Sequence, residues 1–215
     1  TQAWRKAHVD DVIHIMHDRD SEETYHALYM KRIIESAGLP TRVLRGLEGL
    51  SWGPDGNVLD PDGVPIRWVW KTWAWETALD QIREECEDDE EKRRNYRPGE
   101  QRDALPRLVD VLLRPDVMVF EPLWTLIPSN KAILPIIWQL FANQRYLLNA
   151  AYELTEDIRA NGYVQKPIVG RCGANISLYD ASDRLIEETP GRFDSPLQVF
   201  QELFALPVID GDCVQ

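Results

Sequence analysis

A lysine and an arginine with four residues between them are the strongest candidates for chemistry in this sequence. Lys166 stands in the apolar run 163–169 and is followed by Pro167, and the glycine-bracketed turn 170–173 carries Arg171. Glycine lets a backbone approach a phosphate closely, and arginine binds phosphate oxygens with two N–H groups. This spacing suits a triphosphate-binding site. A surface hairpin with two solvated charges has the same pattern, and the residues alone favour the hairpin.

Lys131 is a second candidate for anion binding. It follows Ser129 and Asn130, either of which can cap a helix over 130–141. A helix N-terminus attracts anions, and a lysine in the first turn adds to that attraction. The alternative is an exposed lysine without a ligand, which the helix dipole disfavours at this position. The position therefore favours a functional role.

Two adjacent carboxylates, Glu22 and Glu23, follow a short apolar run at 9–16. Asp20 or Ser21 can cap a helix that starts there. Ligands of α/β proteins bind at the carboxyl ends of the strands, so this pair is a candidate for holding an ammonium group. Glutamates are also favourable first-turn residues, and the sequence alone favours that plainer interpretation.

Histidines and cysteines predict no metal site. The chain contains four histidines and three cysteines, His8, His14, His17, His26, Cys86, Cys172 and Cys213. They form no CxxC pair and no recognisable ligand set, so we expect structural or solvated histidines and a reducing cytoplasm. Walker A, GxGxxG, GxSxG and HExxH motifs are also missing. Their absence removes the commonest ways of binding nucleotides or hydrolysing esters and peptides.

The elements that must position these residues change in character along the chain. Before residue 120, apolar runs near 9–16, 43–44, 67–71 and 117–120 alternate with helical periodicity, which predicts a parallel α/β domain. The turn signals GPDG and DPDG predict a hairpin between residues 49 and 66. Thr72 is expected to cap a helix that runs to about residue 91.

Beyond residue 162, short β-like runs alternate with Gly, Asn and Asp, which predicts an antiparallel sheet of hairpins. Before that sheet, residues 146–159 are expected to be largely helical. Residues 195–204 are expected to form a short helix. We divide the chain into an α/β domain at 1–120 and a β-rich module at 121–215.

The overall charge limits the possible partners. Thirty-six acidic residues outnumber twenty-four lysines and arginines, which gives a net charge of −12. Duplex nucleic acid and anionic membranes both demand a basic face, so neither is expected as the main partner. A cationic substrate such as a polyamine is compatible with this charge. No signal peptide and no apolar run of about 18 residues is present, so no membrane partner is expected.

Three segments resemble signature blocks of the glutathionylspermidine synthetase family. They are KTWAWETALDQIR at 71–83, FEPLWTLIPSNKAILPIIW at 120–138 and YVQKPIVGRCGANI at 163–176. The blocks come in the family's order, and RFDSPLQVFQELFALPVIDGDCVQ at 192–215 continues the resemblance to the last residue. The GRCG form resembles the synthetase itself, whereas uncharacterised relatives tend to carry a Ser-Arg-Glu-Gly version.

The resemblance implies an ATP-grasp ligase of α/β (α+β) class. A parallel-sheet pre-ATP-grasp domain at 1–120 would precede part of an ATP-grasp subdomain with a hairpin lid at 121–215. Such ligases join the glycine carboxylate of glutathione to an amine of spermidine. ATP with Mg²⁺ phosphorylates the carboxylate, and the amine attacks the acyl phosphate.

The resemblance also implies roles for individual residues. Arg171 matches the catalytic arginine of a mobile loop over the reacting phosphate. The ATP-binding positions are Lys131, Lys166, Gln201 and Gln215. The glutathione-binding positions are Glu22, Glu23 and Thr77.

The family pattern also indicates what this chain lacks. An Arg-x-Asp and a Glu-x-Asn supply the family's metal ligands upstream, and neither precedes the first strand here. Family members continue past Gln215, so we expect a chain truncated at both ends, with its magnesium ligands elsewhere and little or no ligase activity alone. A related ligase for another peptide or amine, a non-catalytic nucleotide or thiol-peptide binding module and a remnant assembly domain remain alternatives.

Overall fold

The structure is a computed structural model that describes residues 1–86, 89–95, 105–170, 173–191, 197–205, 208–209 and 212–213. Contacts divide the chain into two compact units, Thr1–Thr125 and Leu126–Gln215. Within the described residues, no helix is long and apolar enough to cross a membrane.

The first unit is built on a parallel sheet. Its strands are β1 (Ile13–His17), β2 (Thr41–Arg45), β3 (Ser51–Trp52), β4 (Val58–Leu59), β5 (Trp68–Lys71) and β6 (Met118–Val119). Its helices are α1 (Gln2–Arg5), α2 (Ser21–Glu35), α3 (Trp75–Glu85), α4 (Glu90–Asn95) and α5 (Leu108–Leu112), and a 3-10 turn spans Leu123–Thr125. Four parallel strands lie in the order β2-β1-β5-β6, and β3 pairs with β4 in a separate antiparallel hairpin. The predicted α/β class and the hairpin are confirmed.

The β1-α2-β2 segment shows how the sequence builds this sheet. The Asp20 carboxylate caps α2 by accepting the backbone N–H of Glu22 at 2.7 Å. Ile13 and Ile15 of β1 are fully buried against Ala27 and Ile34 of α2. The odd-numbered residues of β1 therefore point to the face of the sheet that α2 covers.

The helix after β5 differs from the prediction. Thr72 does not cap it, because α3 begins at Trp75 after Ala74. The backbone N–H of Thr72 instead donates to Met16 O at 3.0 Å, so Thr72 extends the ladder between β1 and β5. The helix also ends at Glu85 rather than near residue 91, and α4 follows as a separate helix.

A buried polar network fixes the hairpin of the first unit. The Asp60 carboxylate accepts N–H groups of Val64 at 2.8 Å and Asp62 at 2.9 Å, and it pairs with Arg42 at 2.5 Å. His14 Nε2 lies 3.4 Å from the same carboxylate. Burial lowers the pKa of His14, although Asp60 acts in the opposite direction. His14 is therefore a core histidine, as the sequence predicts.

The second unit is dominated by an antiparallel sheet. Its strands are β7 (Ala150–Ala151), β8 (Tyr163–Pro167), β9 (Ser177–Tyr179), β10 (Leu185–Glu188), β11 (Gln198–Glu202), β12 (Val208–Ile209) and β13 (Asp212–Cys213). Its helices are α6 (Leu126–Ser129), α7 (Ile133–Leu140) and α8 (Glu156–Arg159). Five strands lie in the order β10-β9-β8-β11-β7, and β12 pairs with β13. The predicted antiparallel sheet is confirmed.

Two helices predicted in this unit are wrong. The segment expected as a helix at 195–204 contains β11, which lies between β8 and β7. Val199 and Gln201 are buried while Phe200 between them points to the other face, which is the alternation of a strand. Residues 146–159 are helical only in α8, because the backbone of Ala150 pairs with Gln201. Strand pairing outweighed local helix propensity in both segments.

Candidate functional site

Lys166 and Gln201 lie on one face of the antiparallel sheet. Lys166 of β8 is paired with Val199 of β11, and Gln201 is paired with Val164. The two polar residues are therefore diagonal neighbours on the same face. The Lys166 ammonium donates to Gln201 Oε1 at 2.7 Å. Gln201 is 9% exposed and Lys166 is half-buried.

Lys131 is bound to the segment that follows β8. Its backbone N–H donates to Ile168 O at 2.9 Å, and its ammonium donates to Gly170 O at 2.7 Å. The helix begins only at Ile133, so Lys131 precedes α7 and does not lie in its first turn. Asn130 accepts the N–H of Ala132 at 2.8 Å and so stabilises this turn. The two hydrogen bonds that Lys131 donates to residues 168 and 170 hold this lysine beside the start of the glycine-bracketed loop.

Two positive charges meet in this cluster. Burial lowers the pKa of Lys166, and the positive charge of Lys131 lowers it further. In the described part of the chain, no carboxylate forms an ion pair with Lys166. A bound anion would supply the missing negative charge, so the geometry favours an anion-binding site.

The structure brings together three of the residues implied to contact ATP or its reacting phosphate: Lys131, Lys166 and Gln201. The other two, Arg171 and Gln215, lie outside the described residues. Gly173, at the far side of the loop, has φ of 73°, a conformation that favours glycine. The glycine at this end of the loop is therefore required by backbone geometry.

The residues implied to contact glutathione belong to the first unit. Glu22 is exposed, and Glu23 Oε2 lies 4.0 Å from His26 Nδ1. Thr77 is exposed in the first turn of α3. Helices α2 and α3 follow the adjacent parallel strands β1 and β5, so both start at the carboxyl edge of the sheet. The topology thus places these three residues at one edge.

Lys71 and Glu121 form a polar contact at the same edge that the sequence interpretation missed. The buried Lys71 ammonium lies 2.7 Å from Glu121 Oε2 and 2.9 Å from Trp73 O. It also lies 4.8 Å from the centre of the Trp75 ring, and Trp75 Nε1 donates to Glu121 O at 2.8 Å. These contacts fix the start of α3. A lysine that ends the apolar run WVWK is the sequence signal for such a position.

The described residues fit the phosphates of ATP better than they fit a magnesium ion. Two ammonium groups beside a buried amide match a polyphosphate in charge and hydrogen-bonding capacity. No group of three or more His, Cys, Asp or Glu side chains that could hold a metal was found among the described residues. Among the described residues, the candidate phosphate contacts are therefore not accompanied by a metal-binding group.

Comparison with known proteins places the chain in a family. The family model described as glutathionylspermidine synthase pre-ATP-grasp matches residues 2–215. The bifunctional glutathionylspermidine synthetase/amidase of Escherichia coli is 46% identical over 213 residues, covering 99% of this chain and 34% of that protein. The trypanothione synthetase of Crithidia fasciculata is 38% identical over 216 residues, covering 97% of this chain and 32% of that protein. The chain thus spans about a third of the length of these relatives.

The parallel-sheet unit and the antiparallel unit with its lysine cluster define a pre-ATP-grasp type of protein. The chain belongs to the glutathionylspermidine synthase pre-ATP-grasp family. Glutathionylspermidine synthase of Crithidia fasciculata is a further relative, 32% identical over 183 residues, with 79% of this chain and 24% of that protein covered.

Proposed function

We propose that the complete protein containing these 215 residues is an ATP-dependent carboxylate–amine ligase. It joins the glycine carboxylate of glutathione to an amine of spermidine through an acyl phosphate. The names of the relatives support the reaction class and the substrates. Residues 1–120 would form the pre-ATP-grasp domain, and residues 121–215 part of the ATP-grasp subdomain.

The cluster of Lys131, Lys166 and Gln201 is the observation that carries this proposal. The Lys166 ammonium has no carboxylate partner among the described residues and lies near the positive charge of Lys131, an arrangement that suits the negative charge on the transferring phosphoryl group. Lys166 and Lys131 would hold the phosphates of ATP, and Gln201 would orient Lys166. ATP would supply the phosphoryl group that activates the carboxylate.

The remaining roles rest on the family resemblance. Arg171 would act on the reacting phosphate, and Gln215 would contact the nucleotide. Glu22, Glu23 and Thr77 would contact glutathione. Magnesium ligands would come from outside the described residues, so the 215-residue chain alone is expected to have little or no ligase activity. Duplex nucleic acid and membranes are not proposed as partners, and the cytoplasm is the proposed compartment.

An assay on the complete protein tests the reaction. ADP release is expected to require both glutathione and spermidine, with a product of the summed mass less water. ADP release that is independent of both substrates, or absent with every thiol peptide and polyamine tried, would contradict the proposed ligase.

Calorimetry tests the phosphate contacts separately. Lys166→Ala and Lys131→Ala should each weaken MgATP binding to the complete protein about tenfold or more, because each removes a charge-assisted hydrogen bond to phosphate. Lys31→Ala is the matched control, since Lys31 lies on α2 and pairs with Glu35 at 3.6 Å. Equal affinities for all three variants and the parent would contradict the assignment.

A trypanothione-forming ligase is a second candidate. The 38% identity to a trypanothione synthetase over nearly the whole chain favours it specifically. Mass spectrometry of the products distinguishes the two, because a trypanothione synthetase is expected to yield trypanothione and a glutathionylspermidine synthetase is not.

A further inference from the structure

The strand order of the first unit places a topological switch point at the carboxyl ends of β1 and β5. In the strand order, the connection from β1 leads to β2 in one lateral direction, and the connection from β5 leads to β6 in the opposite direction. Neighbouring strands whose connections diverge in this way form a topological switch point, where open α/β sheets bind ligands. His17 ends β1, and Thr72 directly follows β5.

His17 and Thr72 are lateral neighbours at this switch point. Met16 is paired with Lys71, so the next position in the same register joins His17 to Thr72. The hydrogen bond from Thr72 N to Met16 O at 3.0 Å confirms that the ladder extends this far. Both side chains therefore continue the row of Ile15 and point to the face covered by α2.

Each of these two side chains has a buried polar atom without a partner. His17 is 1% exposed. Within the described residues, neither His17 Nδ1 nor Thr72 Oγ1 has a hydrogen-bond partner, and both atoms are inaccessible to solvent. Leaving a buried polar group unpaired costs about 1–3 kcal/mol. A ligand that binds at the switch point could complete the hydrogen bonds of these two neighbouring atoms.

The charge around the switch point selects the chemistry of that ligand. Residues 17–23, HDRDSEE, carry four carboxylates and one arginine. Arg19 forms an ion pair with Glu48, so its charge is compensated. In the neutral imidazole with its proton on Nε2, Nδ1 accepts a hydrogen bond, and a threonine hydroxyl also accepts. Two acceptors beside an acidic helix start fit a donor-rich cation.

We propose that His17 Nδ1 and Thr72 Oγ1 form the floor of a primary-ammonium subsite, with Glu22 and Glu23 at its rim. This inference rests on the proposed function, which places a substrate at Glu22 and Glu23. An ammonium group has three N–H donors, enough for the hydroxyl, the imidazole nitrogen and one carboxylate. Both proposed substrates carry a primary ammonium, namely the α-amino end of glutathione and the terminal amine of spermidine.

Calorimetry on the complete protein with Thr72→Val tests the subsite. Valine keeps the shape of threonine but cannot accept a hydrogen bond, so the affinity for one of the two amines should fall about fivefold to tenfold. Thr72→Ser should restore that affinity. Unfolding temperature should not fall in Thr72→Val, because the lost hydroxyl has no partner in the described fold. A loss of affinity for glutathione alone would assign the subsite to the peptide, and a loss of affinity for spermidine alone would assign it to the polyamine.

His17 and a matched threonine supply the second arm of the test. His17→Asn keeps a polar atom near the position of Nδ1 and should bind the same amine more tightly than His17→Leu. Thr41→Val is the control, because Thr41 lies at the opposite end of the sheet and donates to Glu35 at 2.8 Å. Affinity for MgATP should be the same in all of these variants.

Several outcomes would overturn the subsite, and they can be told apart from failure of the proposed function. Unchanged affinity of Thr72→Val for both amines contradicts the subsite alone. If Thr72→Val lost affinity equally for both amines and for MgATP, Thr72 would have a purely structural role. A parent protein that binds neither glutathione nor spermidine would remove the proposed substrates as well, since the parent itself would then fail.

Discussion

Lys71 and Lys166 are two lysines in strands, and their surroundings differ. The side chain of Lys71 is completely buried, with the Glu121 carboxylate at 2.7 Å, a backbone carbonyl and the Trp75 ring around it. Lys166 is half-buried, donates to the neutral amide of Gln201 and shares its surroundings with the positive Lys131. The Lys71 ammonium is compensated by a carboxylate, and the Lys166 ammonium has no carboxylate partner among the described residues.

We interpret Lys71 as a structural lysine and Lys166 as a lysine that is suited to bind an anion. The charge of Lys71 is satisfied by its own unit, so its contacts serve to hold β5, α3 and residue 121 together. The charge of Lys166 would be satisfied by a phosphate. Burial alone therefore does not identify a functional lysine, and the sign of its neighbours is more informative.

Removing the uncompensated charge should have the largest effect on activity. Lys166→Met in the complete protein should lower kcat/KM for ATP about 100-fold to 1000-fold, as expected for loss of a group that stabilises transition-state charge. Its free energy of unfolding should not fall, because methionine removes a partly desolvated charge and keeps the length of the side chain. Steady-state ADP release and urea unfolding measure the two effects. A large loss of stability would place Lys166 with Lys71 among the structural lysines.

Removing the compensation from Lys71 should have the next largest effect, on stability. Glu121→Gln leaves a buried ammonium without its carboxylate and should lower the free energy of unfolding by about 1–2 kcal/mol. The cost is smaller than for a fully buried pair, because the Glu121 side chain is 55% exposed. Urea unfolding of the complete protein measures it, with the exposed Glu84→Gln on α3 as control. MgATP affinity should stay at the parent value, and a tenfold change would show that the pair belongs to the nucleotide site.

A carboxylate placed beside Lys166 should make it resemble Lys71. Gln201→Glu would put a negative charge at the atom that now lies 2.7 Å from the Lys166 ammonium. MgATP affinity should fall about tenfold, because the new carboxylate competes with phosphate for the ammonium and repels it. Gln165→Glu, on the opposite face of β8, is the matched control. Unchanged MgATP binding in Gln201→Glu would show that the phosphates lie away from this lysine.

The sequence predicted the first unit better than the second, for a physical reason. The β1-α2-β2 segment is marked locally by the Asp20 cap, the buried run IHIM and the glycine after the helix. The strands β7 and β11 are defined by pairing with distant residues. The local sequence of residues 195–204 does not distinguish a helix from a strand. The strand is defined by the pairing of Val199 with the distant Lys166.

The candidate site was predictable only in part. Lys131 and Lys166 were recognisable as cations near capping residues and glycines. Gln201 was found through the family resemblance, since an isolated glutamine has no pattern of its own. Lys71 with Glu121 and His17 with Thr72 are joined by the parallel register of the sheet, which sequence spacing does not reveal.

The smallest expected effect is a pH dependence that separates Lys166 from ordinary lysines. Folding lowers the pKa of Lys166 through burial and the charge of Lys131. Between this lowered pKa and that of a free lysine, about 10.4, the unfolded chain binds more protons than the folded one, so stability rises with pH. Below that pH window, Lys166 is charged in both the folded and the unfolded chain. The cost of keeping this charge in the fold then lowers the free energy of unfolding by its full value.

Lys166→Met should therefore unfold less readily than the parent at neutral pH, and this advantage should narrow as the pH rises through the window. Urea unfolding of both proteins at several pH values from neutral to about 10 measures the difference. Lys31→Met should show no such narrowing, because Lys31 is only partly buried and is paired with Glu35. A difference between Lys166→Met and the parent that stays constant with pH would mean that Lys166 keeps an ordinary pKa. The contrast with Lys71 would then rest on hydrogen-bond partners alone.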